Sequence, residues 1–510
     1  MTPGSTIGSA PSVDDSEAHV DVLVVGSGNA GAAAALAARE AGCSVLVIDR
    51  APPEWAGGNS YFTAGAFRTT YASLDDLRGL VELSDEDAAA IDLPPYGVDD
   101  FRLDLARVTE GRADPVLAEL VTREAASALT WLAAAGVEWE LLAARQSFAV
   151  GGRRRYWGNL VIGARGGGKG LVEAEHRAMR QAGVGVRFDT AFEDFLTDEG
   201  RVSGAVVISG GRRRAITAGA VVLASGGFQA DAARRAAYLG PGWDLAKVRG
   251  TPWNTGGPLF RALDLGAAPT GHWSGAHAIS WDAAAPAGGD RAATNRYSRQ
   301  GYPFGLMVNR GGHRFVDEGA DFRNYTYARY GAEVLHQPGA LAYQLFDAES
   351  IQYVSAVDYD TARSSRTEAS SVDALASMID VDGPTLLATI AAFNGSINDR
   401  PFDPTVKDGR GTVGIEPPKS NWALPLSRPP FLAFAVTCGI TFTFGGLRVD
   451  AQAAVMGGDG LPIDGLFAAG EIVGGLFYHN YPGGSGLTAG TVLGRHAGSA
   501  AAAIALERRR

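Results

Sequence analysis

The sequence predicts an α/β fold: a doubly wound, Rossmann-type sheet with an α+β domain inserted into it. Three observations carry this. Near the N-terminus an apolar strand runs straight into a glycine turn and a helix; strands and glycine turns return near the C-terminus; and the stretch between differs in texture from both. At 510 residues the chain exceeds one hydrophobic core and calls for two or three domains.

Residues 20–31 read Val-Asp-Val-Leu-Val-Val-Gly-Ser-Gly-Asn-Ala-Gly, a buried-strand pattern, and an alanine-rich helix follows to about Glu40. Residues 43–49 form a second apolar strand ending in an acid, completing a βαβ unit of about 30 residues. Residues 72–150 are Ala/Leu/Glu-rich with helical periodicity, clearest at 115–136, and are expected as a helical insertion. A glycine-led amphipathic helix at 166–185 precedes strands at 186–188, 191–196, 202–208 and 220–223. From 271 to about 430 aromatics and polar loops increase, with short helices at 372–379 and 383–393, and a last helix is expected at about 486–506. The expected organisation is a disordered N-terminus at 1–16, one domain at 17–271 and 431–510, and a separate domain at 272–430.

Composition excludes several functions. A net charge of −11 and a pI near 5.3 provide no basic face for nucleic acid. The arginine runs at 153–155, 212–214 and 508–510 are expected as solvated loops or ends. Two cysteines, Cys43 and Cys438, allow no disulfide framework, no four-cysteine iron–sulfur cluster and no haem-attachment motif. Residues 1–16 have no basic start or apolar stretch of a secretory signal, and no apolar run approaches the ~20 residues of a membrane span, so a cytoplasmic location is expected.

Gly26, Gly28 and Gly31 make a GxGxxG with Ala30 inside it, after a strand and opening a helix. Glycines let backbone N–H groups approach a pyrophosphate, and the helix N-terminus favours its charge. Asp49, with Arg50 after it, stands where a carboxylate accepts ribose hydroxyls. NAD and FAD share this pattern, and a tight turn without ligand is the plain alternative. Further clusters lie at Gly57-Gly58-Asn59-Ser60, at 220–227 with Ser225 and Gly226, at 465–471 with Gly470 and Glu471, and at 483–486. Ala191 and Phe192, opening the strand at 191–196, complete the cofactor set.

Taken in order, GSGNAG, GGNS, ASGGF, RFVDE, GLFAAGE and GGSGLTAGTVLGRHAG span nearly the whole chain and resemble the fumarate reductase and succinate dehydrogenase flavoproteins. Within them GGNSYFTAGAFR, DFRNYTYARYG, TCGITFTFGG and YHNYPGGSGLTAG look most like FAD-dependent tricarballylate dehydrogenases. The resemblance implies FAD, with Asp49 at the adenosine ribose, Glu471 facing the cofactor, and the N–H groups of Ser485, Gly486, Leu487 and Thr488 near the isoalloxazine. Covalent members carry a flavin-linked histidine just before the Gly-Gly pair. Residues 51–56 contain none, so noncovalent FAD is expected.

The resemblance also makes 17–271 and 431–510 the FAD-binding domain and 272–430 a capping domain over the flavin, and it implies substrate residues. Arg323, after Arg314-Phe-Val-Asp-Glu318, stands near the position of the family's proton-transferring arginine, one residue displaced; a plain carboxylate clamp is the alternative. His277, in Trp273-Ser-Gly-Ala-His277, matches a histidine that bonds a substrate carboxylate, with His272 close by; a structural histidine is the alternative. Fumarate reductases hold the second carboxylate with a histidine and an arginine where this chain has Phe442 and Tyr481, so fumarate and succinate are poor candidates. Tyr481-Pro-Gly-Gly is similar to the stretch with which 3-ketosteroid Δ1-dehydrogenases polarise a ketone, which makes a desaturase or oxidase of a cyclic or apolar carbonyl compound the second reading. Phe442, Phe444, Phe477 and Tyr478 are expected around it and suit an apolar substrate as well as a polar one, and Tyr325, Tyr327 and His479 are further candidates. The expected activity is dehydrogenation or reduction of a C–C bond next to a carboxylate or carbonyl of a small molecule, with no metal. A separate protein, a quinone or O2 would take or give the electrons. A flavoprotein active only through an associated subunit and an NAD-dependent dehydrogenase are the other classes.

Overall fold

The computed structural model describes residues 14–359 and 361–509. Five strands run parallel at the heart of an eight-stranded sheet, in the order Gly185–Arg187, Val45–Ile48, Asp14–Val25, Arg212–Leu223 and Pro462–Ala468. Thr190–Asp198 and Arg201–Ser209 continue it as an antiparallel meander from Arg212–Leu223. Val22 to Val25 and Val45 to Ile48 are buried, as unbroken apolar runs covered on both faces require. Register brings the strand ends level, with Val25 opposite both Ile48 and Leu223, and Leu223 opposite Ala468. The chain therefore leaves adjacent strands at one edge through Gly26, Asp49, Gly226 and Gly470.

Helices Asn29–Glu40 and Ser485–Arg508 lie against this sheet and each other. Their approach depends on missing side chains: a Cβ on Gly494 would stand 2.5 Å from the Ala30 carbonyl oxygen, and one on Gly498 2.1 Å from that of Ala34. Asn29 Nδ2 donates to the Leu487 carbonyl at 2.9 Å, and Thr491 Oγ1 donates to Asn29 Oδ1 at 2.9 Å.

A six-stranded sheet is built around Phe431–Leu447. Toward its start this strand pairs with Ala342–Phe346 and Arg366–Ala369; further along it pairs with Lys247–Val248 on one side and Pro269–Asp282 on the other. Leu306–Asn309 extends the sheet beyond Ala342–Phe346. A strand that begins at the expected domain limit of 430/431 is thus the centre of the sheet that carries the cap.

Some expectations change. The 72–150 segment is helical at Val98–Val108 and Pro115–Ala134 but also contributes strands Trp139–Leu141 and Ser147–Val150, with Trp139 buried. Arginines 153–155 and 212–214 sit in strands rather than loops: Arg155 pairs with Asp92 at 2.9 Å and Arg213 with Glu193 at 2.6 Å. Arg508 pairs with Asp464 at 2.7 Å and Arg509 with Asp21, while Arg510 lies outside the described residues. The first strand begins at Asp14, inside the segment expected to be disordered, and residues 1–13 lie outside the described residues.

Because backbone meets the missing Cβ, Gly498→Ala is expected to cost about 1–3 kcal/mol, seen as a lower midpoint in thermal or urea unfolding. An unchanged midpoint would mean the two helices are free to separate.

Candidate active site

The turns at the carboxyl ends of the parallel strands open into one cavity of about 380 Å³. Gly26, Gly28, Ala30, Asp49, Arg50, Gly58, Asn59, Ser60, Ala191, Phe192, Ser225, Gly226, Gly470, Glu471, Gly486 and Leu487 line it. Gly31, Ser485 and Thr488 do not. Gly31 is needed for close packing, since its Cβ would lie 2.0 Å from the Gly26 carbonyl oxygen; Thr488 Oγ1 donates to the Arg68 carbonyl at 2.7 Å; Ser485 is buried. Asp49 is held at the strand end by the Ser27 N–H at 3.0 Å, the Ser27 hydroxyl at 2.6 Å and the Ala51 N–H at 2.9 Å.

Several features test whether these residues fit a flavin nucleotide. Gly26 adopts φ +108°, and a Cβ there would stand 2.4 Å from the Ala224 carbonyl oxygen. The helices starting at Asn29 and Ser485 have no side-chain cap at Gly28 or Gly484, which leaves N–H groups at two positive helix ends. The hydroxyls of Ser225 and Thr443, on the cavity wall, are buried without a partner. Asn59 bridges the walls, donating to the Thr441 carbonyl and accepting the Thr251 N–H at 2.9 Å. This donor set suits a long, anionic, hydrogen-bonding ligand, and FAD fits it. Burial pushes the Glu471 carboxyl up to about 7, against the N–H groups of Thr443 and Gly227 and the amides of Gln229 and Asn254.

Away from the glycine turns the same cavity is walled by His277, Arg249, Asn295, Arg323, Tyr327, Tyr481, Phe442, Phe444 and Phe477. His277 is fully buried, its ring lies on Phe442 with centroids 5.0 Å apart, and both ring nitrogens lack partners. Burial, then the Arg249 charge, holds its pKa well below 6.5, so it is neutral at pH 7. Tyr327 and Tyr481 are linked hydroxyl to hydroxyl at 2.6 Å, and the Gly484 N–H donates to the Tyr481 hydroxyl at 3.1 Å. Arg323 is buried against Trp157 and pairs with Asp358 at 3.3 Å; Arg145 binds the other oxygen of Asp358 at 2.7 Å. Burial lowers the Arg323 pKa and Asp358 restores part of it.

Other candidates fall away. Tyr325 donates to Asp104 at 2.5 Å and is not on the cavity wall. His272 accepts the His479 N–H at 3.0 Å and stacks on Tyr478, and these three also stay outside. Arg145, Arg249, Asn254 and Asn295 were missed because no motif spacing marks them in the sequence. A second cavity of about 270 Å³, walled by Trp157, Phe148, Phe304, Phe322, Tyr353 and Trp422, shares Arg145, Gln300 and Arg323 with the first.

Glycine turns at the ends of parallel strands, opening beside a tyrosine pair and buried arginines, define a dinucleotide-dependent oxidoreductase. Residues 21–487 match the family described as FAD binding domain, and the chain belongs to it, within the fumarate reductase and succinate dehydrogenase flavoproteins. It is an FAD-dependent enzyme, a dehydrogenase or reductase acting on CH–CH groups. The chain is 28% identical over 492 residues to a probable fumarate reductase, Ifc3, of Shewanella frigidimarina, covering 96% of this chain and 75% of that protein. It is 26% identical over 544 residues to 4-oxocyclohexanecarboxylate 2-dehydrogenase of Sinomonas cyclohexanicum, covering 93% and 91%. The open conformation of a flavocytochrome c3 fumarate reductase superposes with a TM-score of 0.72 at 26% identity, covering 96% of this chain and 79% of that one. Among the described residues no helix is long and apolar enough to cross a membrane.

A neutral buried imidazole ties stability to pH. The unfolded chain protonates near pH 6.5 while the folded His277 does not, so its contribution is full above that pH and is lost as pH falls through and below it. Between pH 7 and 5 the wild type should therefore lose unfolding free energy that His277→Gln retains; parallel profiles in urea titrations would contradict a buried, unpartnered ring.

Proposed function

We propose that the enzyme oxidises, or in reverse reduces, a C–C bond adjacent to a carboxylate or carbonyl in a small molecule, in the manner of tricarballylate dehydrogenases. The observation that carries this is the meeting, in one cavity, of the glycine-turn cradle with His277 and the Tyr327–Tyr481 pair. FAD, when bound, supplies a hydride acceptor or donor. Gly26, Gly28, Asp49, Asn59 and Glu471 would hold it, and with no histidine at 51–56 the attachment is noncovalent.

The chain's own residues supply the rest. Tyr481 accepts the Gly484 N–H and, with Tyr327 as the donor of the pair, keeps its own proton to donate to a substrate oxygen as negative charge develops there. His277, neutral, donates one ring N–H without repelling the arginines. Arg323, steadied by Asp358, handles the proton on the carbon beside the one that exchanges hydride, with Tyr327 as the neighbouring hydroxyl. The aromatic wall of Phe442, Phe444 and Phe477 keeps water from that carbon and strengthens each of these interactions. The tyrosine pair favours, as a second reading, a cyclic or apolar ketone of the 3-ketosteroid type. Electrons leave to a separate protein, a quinone or O2.

Acid denaturation should release yellow FAD into the supernatant; colour retained in the precipitate would show a covalent bond. Anaerobic mixing of oxidised enzyme with a panel of tricarballylate, other di- and tricarboxylates and cyclic ketones should bleach the flavin with at least one, and failure with all, including with reduced enzyme and their unsaturated counterparts, would end this reading. With the substrate so found, Tyr481→Phe should keep FAD and slow bleaching by roughly 10²–10³-fold, while Arg323→Ala should keep FAD and abolish bleaching; full activity in either removes that residue from the mechanism.

A further inference from the structure

We infer that Arg249 is the carboxylate anchor of the substrate cavity, so that the substrate is an anion with one carboxylate seated on this guanidinium and its reacting carbons toward His277 and Tyr481. This deepens the reading of the cavity as an FAD-dependent oxidoreductase site and rests on it.

Arg249 is only 7% exposed, yet among the described residues no carboxylate lies within ion-pair distance of it. The molecule's other deeply buried arginines are provided for: Arg299 pairs with Asp282 at 2.9 Å, Arg314 with Glu318 at 2.6 Å, Arg323 with Asp358 at 3.3 Å and Arg68 with Asp104 at 3.7 Å. Arg235 has no acid but spends its N–H groups on the carbonyls of Trp243, Gln229, Asp244 and Ala246. Arg249 gives Nε and Nη2 to Asn295 Oδ1 at 2.9 and 2.5 Å and Nη1 to Thr441 Oγ1 at 2.9 Å, which leaves one N–H on each terminal nitrogen. One free donor on each terminal nitrogen matches the two oxygens of a carboxylate.

The surroundings agree. Strand Lys247–Val248 flanks the central strand at Gly439 and Ile440, and Arg249 N–H continues the ladder to the Ile440 carbonyl at 2.8 Å. On the opposite flank His277 stands across from Phe442. One stretch of strand therefore brings to the same cavity a buried cation with no counter-ion and a buried imidazole with both nitrogens unpartnered. Arg145 and Arg323 share a single Asp358, so the positive balance there is not cancelled by the protein. A buried charge in such surroundings is costly until an opposite charge joins it, and a substrate carboxylate meets that requirement while a neutral ketone leaves it unmet.

The test uses FAD-loaded enzyme and two small probes of nearly one shape, acetate and acetamide, followed by saturation transfer from protein to the probe methyl group in ligand-observed NMR. Acetate should bind well ahead of acetamide, Arg249→Met should weaken acetate by roughly tenfold or more and leave acetamide unchanged, and Arg249→Lys should recover part of the loss. Should Arg249→Met fail to fold or to keep FAD, Asn295→Asp places a fixed carboxylate of the same size against the guanidinium and should abolish acetate binding. Equal acetate and acetamide binding in the wild type, or acetate binding unchanged in these variants, overturns the anchor. Acetate held through Arg249 in an enzyme that no panel member bleaches would leave the anchor standing and fell the reaction alone.

Discussion

Close contact between the first and last helices governs where everything else can sit. Gly494 and Gly498 let the backbone of the C-terminal helix rest on that of Ala30 and Ala34, and Asn29 ties the two together through Leu487 and Thr491. Any larger residue at those glycines would push apart two helix starts that must face the same ligand. The sheet register does the complementary work, bringing Gly26, Asp49, Gly226 and Gly470 to one level. Chain segments separated by hundreds of residues thereby act as one receptacle.

Charge inside the cavity is distributed unevenly, and that unevenness is where chemistry is written. At the nucleotide end the acids are Asp49, locked by Ser27 and Ala51, and Glu471, whose carboxyl burial pushes up to about 7, and the donors are backbone groups and helix ends. At the other end full cations are buried under aromatic rings, and the acid that serves them, Asp358, serves Arg145 and Arg323 together. Low-dielectric surroundings magnify every imbalance of this kind. The imidazole of His277 answers by staying neutral; the arginines cannot.

Much of the cofactor end was legible in the sequence, because its requirements are local. A glycine that must adopt φ +108°, as Gly26 does, or an acid at a strand end, as Asp49 is, leaves a mark within a few residues. Gly31, Ser485 and Thr488 belonged to the right motifs yet support the wall from behind, a distinction that depends on side-chain direction rather than spacing. At the substrate end His277, Arg323 and Tyr481 were visible through family resemblance. Arg249 and Asn295 were not: 46 positions apart in the chain, they meet only through the pairing of strands around Phe431–Leu447. Periodicity also says little about residues 139–156, where strands of three or four residues lack the length to establish an alternation.

The second cavity, with its rings of Trp157, Phe304 and Trp422, adjoins the first through Arg145, Gln300 and Arg323. Arg145 and Arg323, both held by Asp358, stand at that junction, so the aromatic chamber lies directly behind a charged partition.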